Sequence, residues 1–203
     1  MSSPRPHDLL RLSGSVVLPA DAPAWAVHAL RTVPWAVVRR GPAPAGVIAV
    51  GVRGADRSER YGTHVATDDV REVVAPEALS HVSSPGRDLS ALRTLRALRP
   101  LLDDTGLLWG PTGSVGFELA TGQPTAIAGS DLDLLIRTPQ GIAGALPLLT
   151  TLADAFSARP ARVDCQIETP LGAAALAELV DGQSEVMVRT ADGPRLVARA
   201  AVP

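Results

Sequence analysis

The chain has 203 residues, a mass of 21.0 kDa and a formal net charge of −2, a length that suits one large domain or two small ones. Hydrophobic residues make up 46% of the sequence and charged residues 20%, which excludes a wholly disordered chain. The slightly acidic balance and an aromatic content of 3% argue against a dedicated nucleic-acid-binding protein.

The residue types that are absent or rare in the sequence exclude several kinds of catalytic and metal site. All 19 basic residues are arginine, so mechanisms that need a lysine, such as a Walker-type phosphate loop or a Schiff base, are excluded. The single cysteine, Cys165, excludes an intrachain disulfide and a cysteine-cluster zinc site, and favours a reducing compartment. With no secretory signal and no apolar run long enough to span a membrane, we expect a soluble, cytoplasmic protein.

The first half of the chain predicts short strands separated by turns. Its predicted elements are strands at 36–39 and 47–52, a weaker strand pattern over 63–74, and a short helix start at 76–79. The sequence Ser-Ser-Pro-Gly at 83–86 is the strongest local break. We therefore predict an N-terminal domain over 1–84, which contacts the substrate or a partner, and a second, catalytic domain over 85–203.

After this break, helical patterns alternate with strands. A helix is predicted over 88–102, with four leucines on one face and Asp88 as its candidate cap. The other predicted helices cover 114–120, 173–179 and 141–156, the last interrupted near Pro147. The predicted strands cover 107–109, 132–136, 163–167, 185–189 and 195–198. Because the regular pattern of a doubly wound sheet is missing, we predict an α+β fold, with a small mixed sheet flanked by helices and a smaller N-terminal α+β domain.

Asp131 and Asp133 form the first candidate chemical group. Side chains alternate along a strand, so both aspartates project from one face while Leu132 and Leu134 enter the core. Two close carboxylates repel each other unless a cation lies between them, and Mg²⁺ takes one or two carboxylates together with substrate phosphates. The alternative is a strand edge whose two aspartates face water.

Gly113 and Ser114 precede this strand and open a predicted helix. Glycine lets the backbone approach an anion closely, and free N–H groups at a helix N-terminus bind phosphate. Alone, the pair also fits an ordinary N-capping serine. Together with the Asp-x-Asp strand, it predicts a phosphate-binding turn beside a metal site.

A third carboxylate, Asp164, shares a predicted strand face with Gln166 and Glu168. If this strand pairs with the Asp-x-Asp strand, Asp164 joins the first two aspartates. It could then bridge a second metal ion and accept the proton of an attacking hydroxyl. The alternative is a solvent-facing polar row, and for Glu168 a surface charge is the favoured interpretation.

These segments together resemble a known family. The order Gly-Ser, Asp-x-Asp and Asp is similar to that of the polymerase-β-type nucleotidyltransferases. More narrowly, GPTGSVGFELATG, SDLDLLI, VDCQIETPLGAAALAELV and VRTADGPRLV resemble the malonate decarboxylase holo-acyl-carrier-protein synthases, also called phosphoribosyl-dephospho-CoA transferases. RPHDLLRL and PWAVVRR also resemble that family's opening domain. The chain departs from the family after GPRLV, where it ends ARAAVP instead of an acidic, tryptophan-containing tail.

The resemblance implies a specific transfer reaction. The 2′-(5″-phosphoribosyl)-3′-dephospho-CoA group passes from triphosphoribosyl-dephospho-CoA to a serine of the apo acyl carrier subunit, and diphosphate leaves. Asp131, Asp133 and Asp164 would hold Mg²⁺ or Mn²⁺, and Gly113 and Ser114 would hold the phosphates. Neither nucleic acid nor a membrane is expected as a partner.

Arginines are candidate phosphate ligands, because one guanidinium can pair with two oxygens. Arg137 and Arg189 lie near the motifs in sequence, and for each the alternative is a solvated surface arginine.

Two other functions stay open at this point. One is the transfer of AMP or another nucleotide to a protein or small molecule. The other is a non-catalytic module that binds the carrier protein or a nucleotide.

Overall fold

The computed structural model describes residues 3–56, 58–83 and 86–203, which form two compact units divided at Ala75–Pro76. The boundary predicted between positions 84 and 85 lies outside the described residues, and the structure divides the chain earlier. The physical reason is the packing of Pro76 inside the second unit. A Cβ on Gly110 would lie 1.9 Å from the Pro76 carbonyl oxygen, so this segment lies directly on the second unit's sheet.

The first unit, as far as it is described, is a five-stranded antiparallel sheet with one α-helix. Its elements are β1 (Leu9–Leu12), α1 (Ala24–Thr32), β2 (Trp35–Val38), β3 (Val47–Arg53), β4 (Arg60–Ala66) and β5 (Val70–Val74), in the sheet order β4-β3-β2-β1-β5. A 3-10 turn at Thr67–Asp69 divides the predicted strand pattern over 63–74 into β4 and β5. The predicted strands at 36–39 and 47–52 are confirmed, whereas β1 and α1 were not predicted.

The second unit contains a mixed sheet and four α-helices within the described residues. Its elements are α2 (Ser90–Asp103), β6 (Leu108–Pro111), α3 (Gly113–Thr121), β7 (Leu132–Arg137), α4 (Leu146–Ser157), β8 (Val163–Glu168), β9 (Ala173–Ala175), α5 (Leu176–Val180), β10 (Glu185–Thr190) and β11 (Gly193–Ala198). The strand order is β11-β10-β9-β8-β7-β6, in which β7 and β8 are parallel and the other pairs are antiparallel. The predicted α+β fold class is confirmed.

The two faces of this sheet differ in chemistry. One face carries the buried apolar side chains Leu132, Leu134 and Ile136 of β7 with Cys165 and Ile167 of β8, which belong to the main hydrophobic core. Helices α2 and α4 contribute leucines to the same core. The opposite face carries the polar residues of the two strands, because side chains alternate along each strand. We call this opposite face the polar face.

Three predicted details of the second unit were wrong. Asp88 does not cap α2; the helix has no side-chain cap, and Asp88 binds Arg93 at 2.8 Å instead. The predicted helix over 173–179 begins with β9, because Ala173–Ala175 pairs with both β8 and β10. The predicted helix over 141–156 begins only at Leu146, with proline in its first turn, where no amide hydrogen is needed. Among the described helices, none is both long and apolar enough to cross a membrane.

Candidate active site

Asp133 and Asp164 lie side by side on the polar face of the sheet. The parallel register of β7 and β8 places Asp133 opposite Asp164, and neighbouring strands lie about 4.8 Å apart. Asp133 is half-buried and Asp164 is exposed. The structure therefore pairs the two strands whose adjacency the sequence hypothesis required.

The start of α3 packs directly against Asp133. Gly113 has φ +59°, and a Cβ at this position would lie 1.8 Å from Oδ2 of Asp133 and 3.0 Å from its Cβ. The amide of Thr112, the residue before the helix, donates a hydrogen bond of 2.9 Å to the Asp133 carbonyl oxygen. Only glycine fits here, for its conformation and for its size. The helix start and the second aspartate of the motif are thus in contact.

Asp131 stands one residue before β7 and is half-buried. The next residue, Leu132, donates its amide hydrogen to the Arg162 carbonyl oxygen at 2.8 Å, which ties the start of β7 to the residue before β8. Within the described residues, no group of three or more His, Cys, Asp or Glu side chains is arranged to hold a metal ion. The predicted three-carboxylate metal site therefore stays a prediction. The donor chemistry of Asp133 and Asp164 fits Mg²⁺, which needs one or two carboxylates when phosphates supply the other oxygens.

A buried glutamate fastens the loop that leads to Asp131. Glu118 of α3 is 3% exposed, and its Oε2 accepts the amide hydrogens of Thr125 and Ala126, each at 3.0 Å. Its Oε1 lies 3.3 Å from Nε of Arg87, and Thr125 donates its hydroxyl hydrogen to the Ser114 carbonyl oxygen at 2.9 Å. Sequence reasoning missed this network; its only signal was one carboxylate in an otherwise apolar helix.

The two predicted phosphate-binding arginines lie elsewhere on the polar face. Arg137 is at the far end of β7, 6% exposed and ion-paired with Glu77, and its register partner is Glu168. Arg137 is four positions after Asp133 along the strand, a span of about 13 Å. Arg189 of β10 is exposed, and its register partner in β9 is Ala173. Substrate contacts by either arginine stay predictions.

Cys165 points into the core, as predicted, and does not belong to the reactive group. It is 4% exposed; burial and, to a smaller extent, the charge of Asp164 raise the pKa of its thiol far above the usual value. A thiol that stays protonated at neutral pH is a poor nucleophile. The carboxylates and the α3 turn therefore stay the predicted reactive groups at this edge of the sheet.

Comparisons with known proteins identify the family. The family model described as the phosphoribosyl-dephospho-CoA transferase MdcG C-terminal domain matches residues 78–200, and the model of the MdcG N-terminal domain matches residues 5–76. The chain belongs to the MdcG family. This result confirms the family resemblance and the transferase class predicted from the sequence, and all seven predicted site residues lie within the C-terminal match.

Curated relatives in the MdcG family match along nearly the whole chain. A phosphoribosyl-dephospho-CoA transferase of Pseudomonas putida is 45% identical over 98% of this chain and 95% of that protein. Similarly named proteins of Pseudomonas aeruginosa strain PAO1 and Azotobacter vinelandii are 41% and 40% identical, over 97% and 96% of this chain and 93% and 92% of their own lengths. No solved structure matches the chain.

Proposed function

We propose that the chain transfers the 2′-(5″-phosphoribosyl)-3′-dephospho-CoA group from its triphosphate precursor to a serine of the apo acyl carrier subunit of malonate decarboxylase. Membership of the MdcG family supports this assignment. The structural observation that carries it is the contact of Gly113 with Asp133, opposite Asp164. The proximity of this helix start to two carboxylates supports our proposal that the turn binds phosphate, since phosphoryl transfer depends on positioning and charge stabilisation.

The reaction replaces a phosphoanhydride bond of the donor with a phosphodiester bond to the carrier protein. The carrier serine Oγ attacks the phosphorus nearest the ribose, forming a new P–O bond, and the bond from that phosphorus to the bridging oxygen of the diphosphate breaks. The serine proton passes to a carboxylate, for which we propose Asp164, since its side chain is exposed. The nucleophile comes from the partner, so the chain needs no nucleophile of its own.

The residues of this chain position the phosphates. The backbone amides at Gly113 and Ser114, at the N-terminus of α3, would hold the distal phosphates. Asp131, Asp133 and Asp164 would hold Mg²⁺ or Mn²⁺, which when bound neutralises charge on the polyphosphate. The tight packing of Gly113 on Asp133 keeps the turn and the carboxylate in a fixed relation. We further propose that the reaction takes place in the cytoplasm, where a free thiol such as that of Cys165 stays reduced.

Mass spectrometry of the carrier protein separates this function from the alternatives. The purified chain is incubated with apo carrier protein, triphosphoribosyl-dephospho-CoA and Mg²⁺. A mass gain equal to the whole prosthetic group supports the proposal. A gain seen only with ATP would indicate nucleotide transfer, and no covalent change would indicate a binding module; either result contradicts it.

Asp133→Asn tests the carboxylate directly. Because the amide keeps the side-chain shape but loses the negative charge, we expect transfer to fall at least a hundredfold, a typical effect for a group that acts in the chemical step. Asp154→Asn, at an exposed position of α4, is the matched control and should transfer normally. Circular dichroism of both variants verifies folding. Near-normal turnover by a folded Asp133→Asn variant would show that this carboxylate has no such role.

A further inference from the structure

A pocket of about 390 Å³ opens at the start of β8, next to the proposed reaction site. Its walls come from the C-terminal end of α4, the loop before β8, the first residues of β8 and the start of α5. Phe156 and Leu176 contribute apolar surface, while Arg159, Arg162 and Asp164 contribute charge. A pocket of this volume, with apolar walls and a few polar groups, is of the kind that binds small molecules.

The pocket follows an open edge of β8. In β8, strand β9 pairs with Gln166, Ile167 and Glu168, so among the described residues the first half of β8 has no strand partner on that side. Both Asp164 and Cys165 line the pocket, although they project from opposite faces of the strand. A molecule lying along this edge would therefore reach the apolar side of the sheet and the polar face together.

The charges at the pocket suit a ligand that carries phosphates. Arg159 donates its Nε hydrogen to the Ala155 carbonyl oxygen at 3.1 Å, and its two terminal nitrogens make no hydrogen bond to another described residue. Arg162 is exposed, and its backbone carbonyl holds Leu132, between the two motif aspartates. Two guanidiniums against one carboxylate give the pocket a net positive charge, and guanidinium groups bind phosphate oxygens in pairs.

From this geometry we propose that the pocket binds the dephospho-CoA part of the donor. Arg159 and Arg162 would bind its diphosphate, and the apolar wall at Phe156 and Leu176 would take the adenine. This inference rests on the proposed function, and extends it by naming where the non-reacting part of the substrate is held. Asp164 borders both the pocket and the polar face, so a donor bound here would place its triphosphate arm towards Asp133 and Gly113.

Binding of dephospho-CoA, measured by calorimetry without metal or carrier protein, tests the pocket. Arg162→Ala should weaken binding at least tenfold, because a charge-assisted contact is lost. Ala177→Leu, at an exposed position of α5 that lines the pocket, should weaken binding similarly by filling space. The matched controls are Arg96→Ala and Ala97→Leu, both at exposed positions of α2 outside the pocket, and these should bind like the native chain. Circular dichroism confirms that each variant is folded.

The outcomes separate this inference from the proposed function. Suppose that the native chain modifies the carrier protein, but that the Arg162→Ala and Ala177→Leu variants bind dephospho-CoA as tightly as the native chain does. This result would contradict the proposed binding pocket and would leave the proposed function intact. Failure of the native chain to bind dephospho-CoA at millimolar concentration also overturns the pocket. If binding depends on Arg162 but no carrier protein is modified, the pocket is supported and the proposed function is overturned.

Discussion

At the scale of single residues, Gly113 is the position where the site has least room. Replacing it by alanine adds a methyl group that would overlap the Asp133 carboxylate, at a backbone φ of +59°. We expect Gly113→Ala to lose about 1–2 kcal/mol of unfolding free energy through the positive φ and to reduce transfer at least tenfold through displacement of Asp133. Urea unfolding and the carrier-protein assay measure the two effects.

Gly122 provides the matched control for this substitution. It has a φ of +71°, but a Cβ there would meet nothing within 4 Å. Gly122→Ala should therefore lose a similar amount of stability and keep normal transfer. Equal loss of transfer in both variants would show that backbone strain, and not the contact with Asp133, controls activity.

The buried thiol of Cys165 predicts a pH dependence of stability. Burial raises the pKa of this thiol in the native chain, whereas in the unfolded chain it ionises near pH 8.5. Below that pH both states hold the proton; above it the unfolded state alone loses the proton, so stability falls as pH rises. Between pH 8 and pH 10 the thiol should account for a loss of about 2 kcal/mol.

Comparison with Cys165→Ala isolates the contribution of the thiol. Urea unfolding of both proteins is measured at pH 8 and pH 10. In the difference between the two proteins, the contributions of the tyrosine and of the other titrating groups that they share cancel. The native chain should lose about 2 kcal/mol more than the variant over this interval. Equal losses of unfolding free energy in the two proteins would mean that the thiol ionises as readily in the folded chain as in the unfolded chain.

At the scale of elements, Glu118 joins α3 to the loop that precedes β7. Glu118→Ala leaves the amides of Thr125 and Ala126 without their acceptor and Arg87 without its buried partner. We expect a loss of about 3 kcal/mol in urea unfolding, with a further loss of transfer because the loop leads to Asp131.

Glu118→Gln is the conservative control for the same network. Its amide oxygen can still accept the two amide hydrogens, so it should lose less stability than Glu118→Ala. Stability near the native value for both variants would show that the loop is held by other contacts.

An element could be predicted from the sequence when the residues that determine it lie close together in the chain. The strand at 132–136 was predictable because its own alternation marks it, and the adjacency of Asp164 followed once β8 was assumed to be its neighbour. β9 was not predictable from the sequence, since three alanines in isolation favour a helix. Only their pairing with β8 and β10 makes them a strand. The Glu118 network was also out of reach, because Arg87 lies 31 residues from Glu118 in sequence.

At the scale of the whole molecule, the two units differ in how much apolar material they bury. The core cluster of the first unit comprises six buried residues among those described, and that of the second unit comprises 24. All predicted site residues lie in the second unit, and the two family matches, over 5–76 and 78–200, divide the chain close to the boundary between the two units. The predicted site residues and the larger core thus belong to one part of the chain.

This difference predicts separate folding behaviour. Residues 76–203 expressed alone should unfold cooperatively and keep dispersed amide NMR signals, because 24 core residues suffice for an independent domain. Residues 1–75 alone should be marginally stable, since a small domain buries a smaller fraction of its surface. Thermal unfolding by circular dichroism measures both fragments. Poorly dispersed amide NMR signals and no cooperative transition for residues 76–203 would show that the second unit depends on the first for its fold. The site geometry would then be a property of the intact chain.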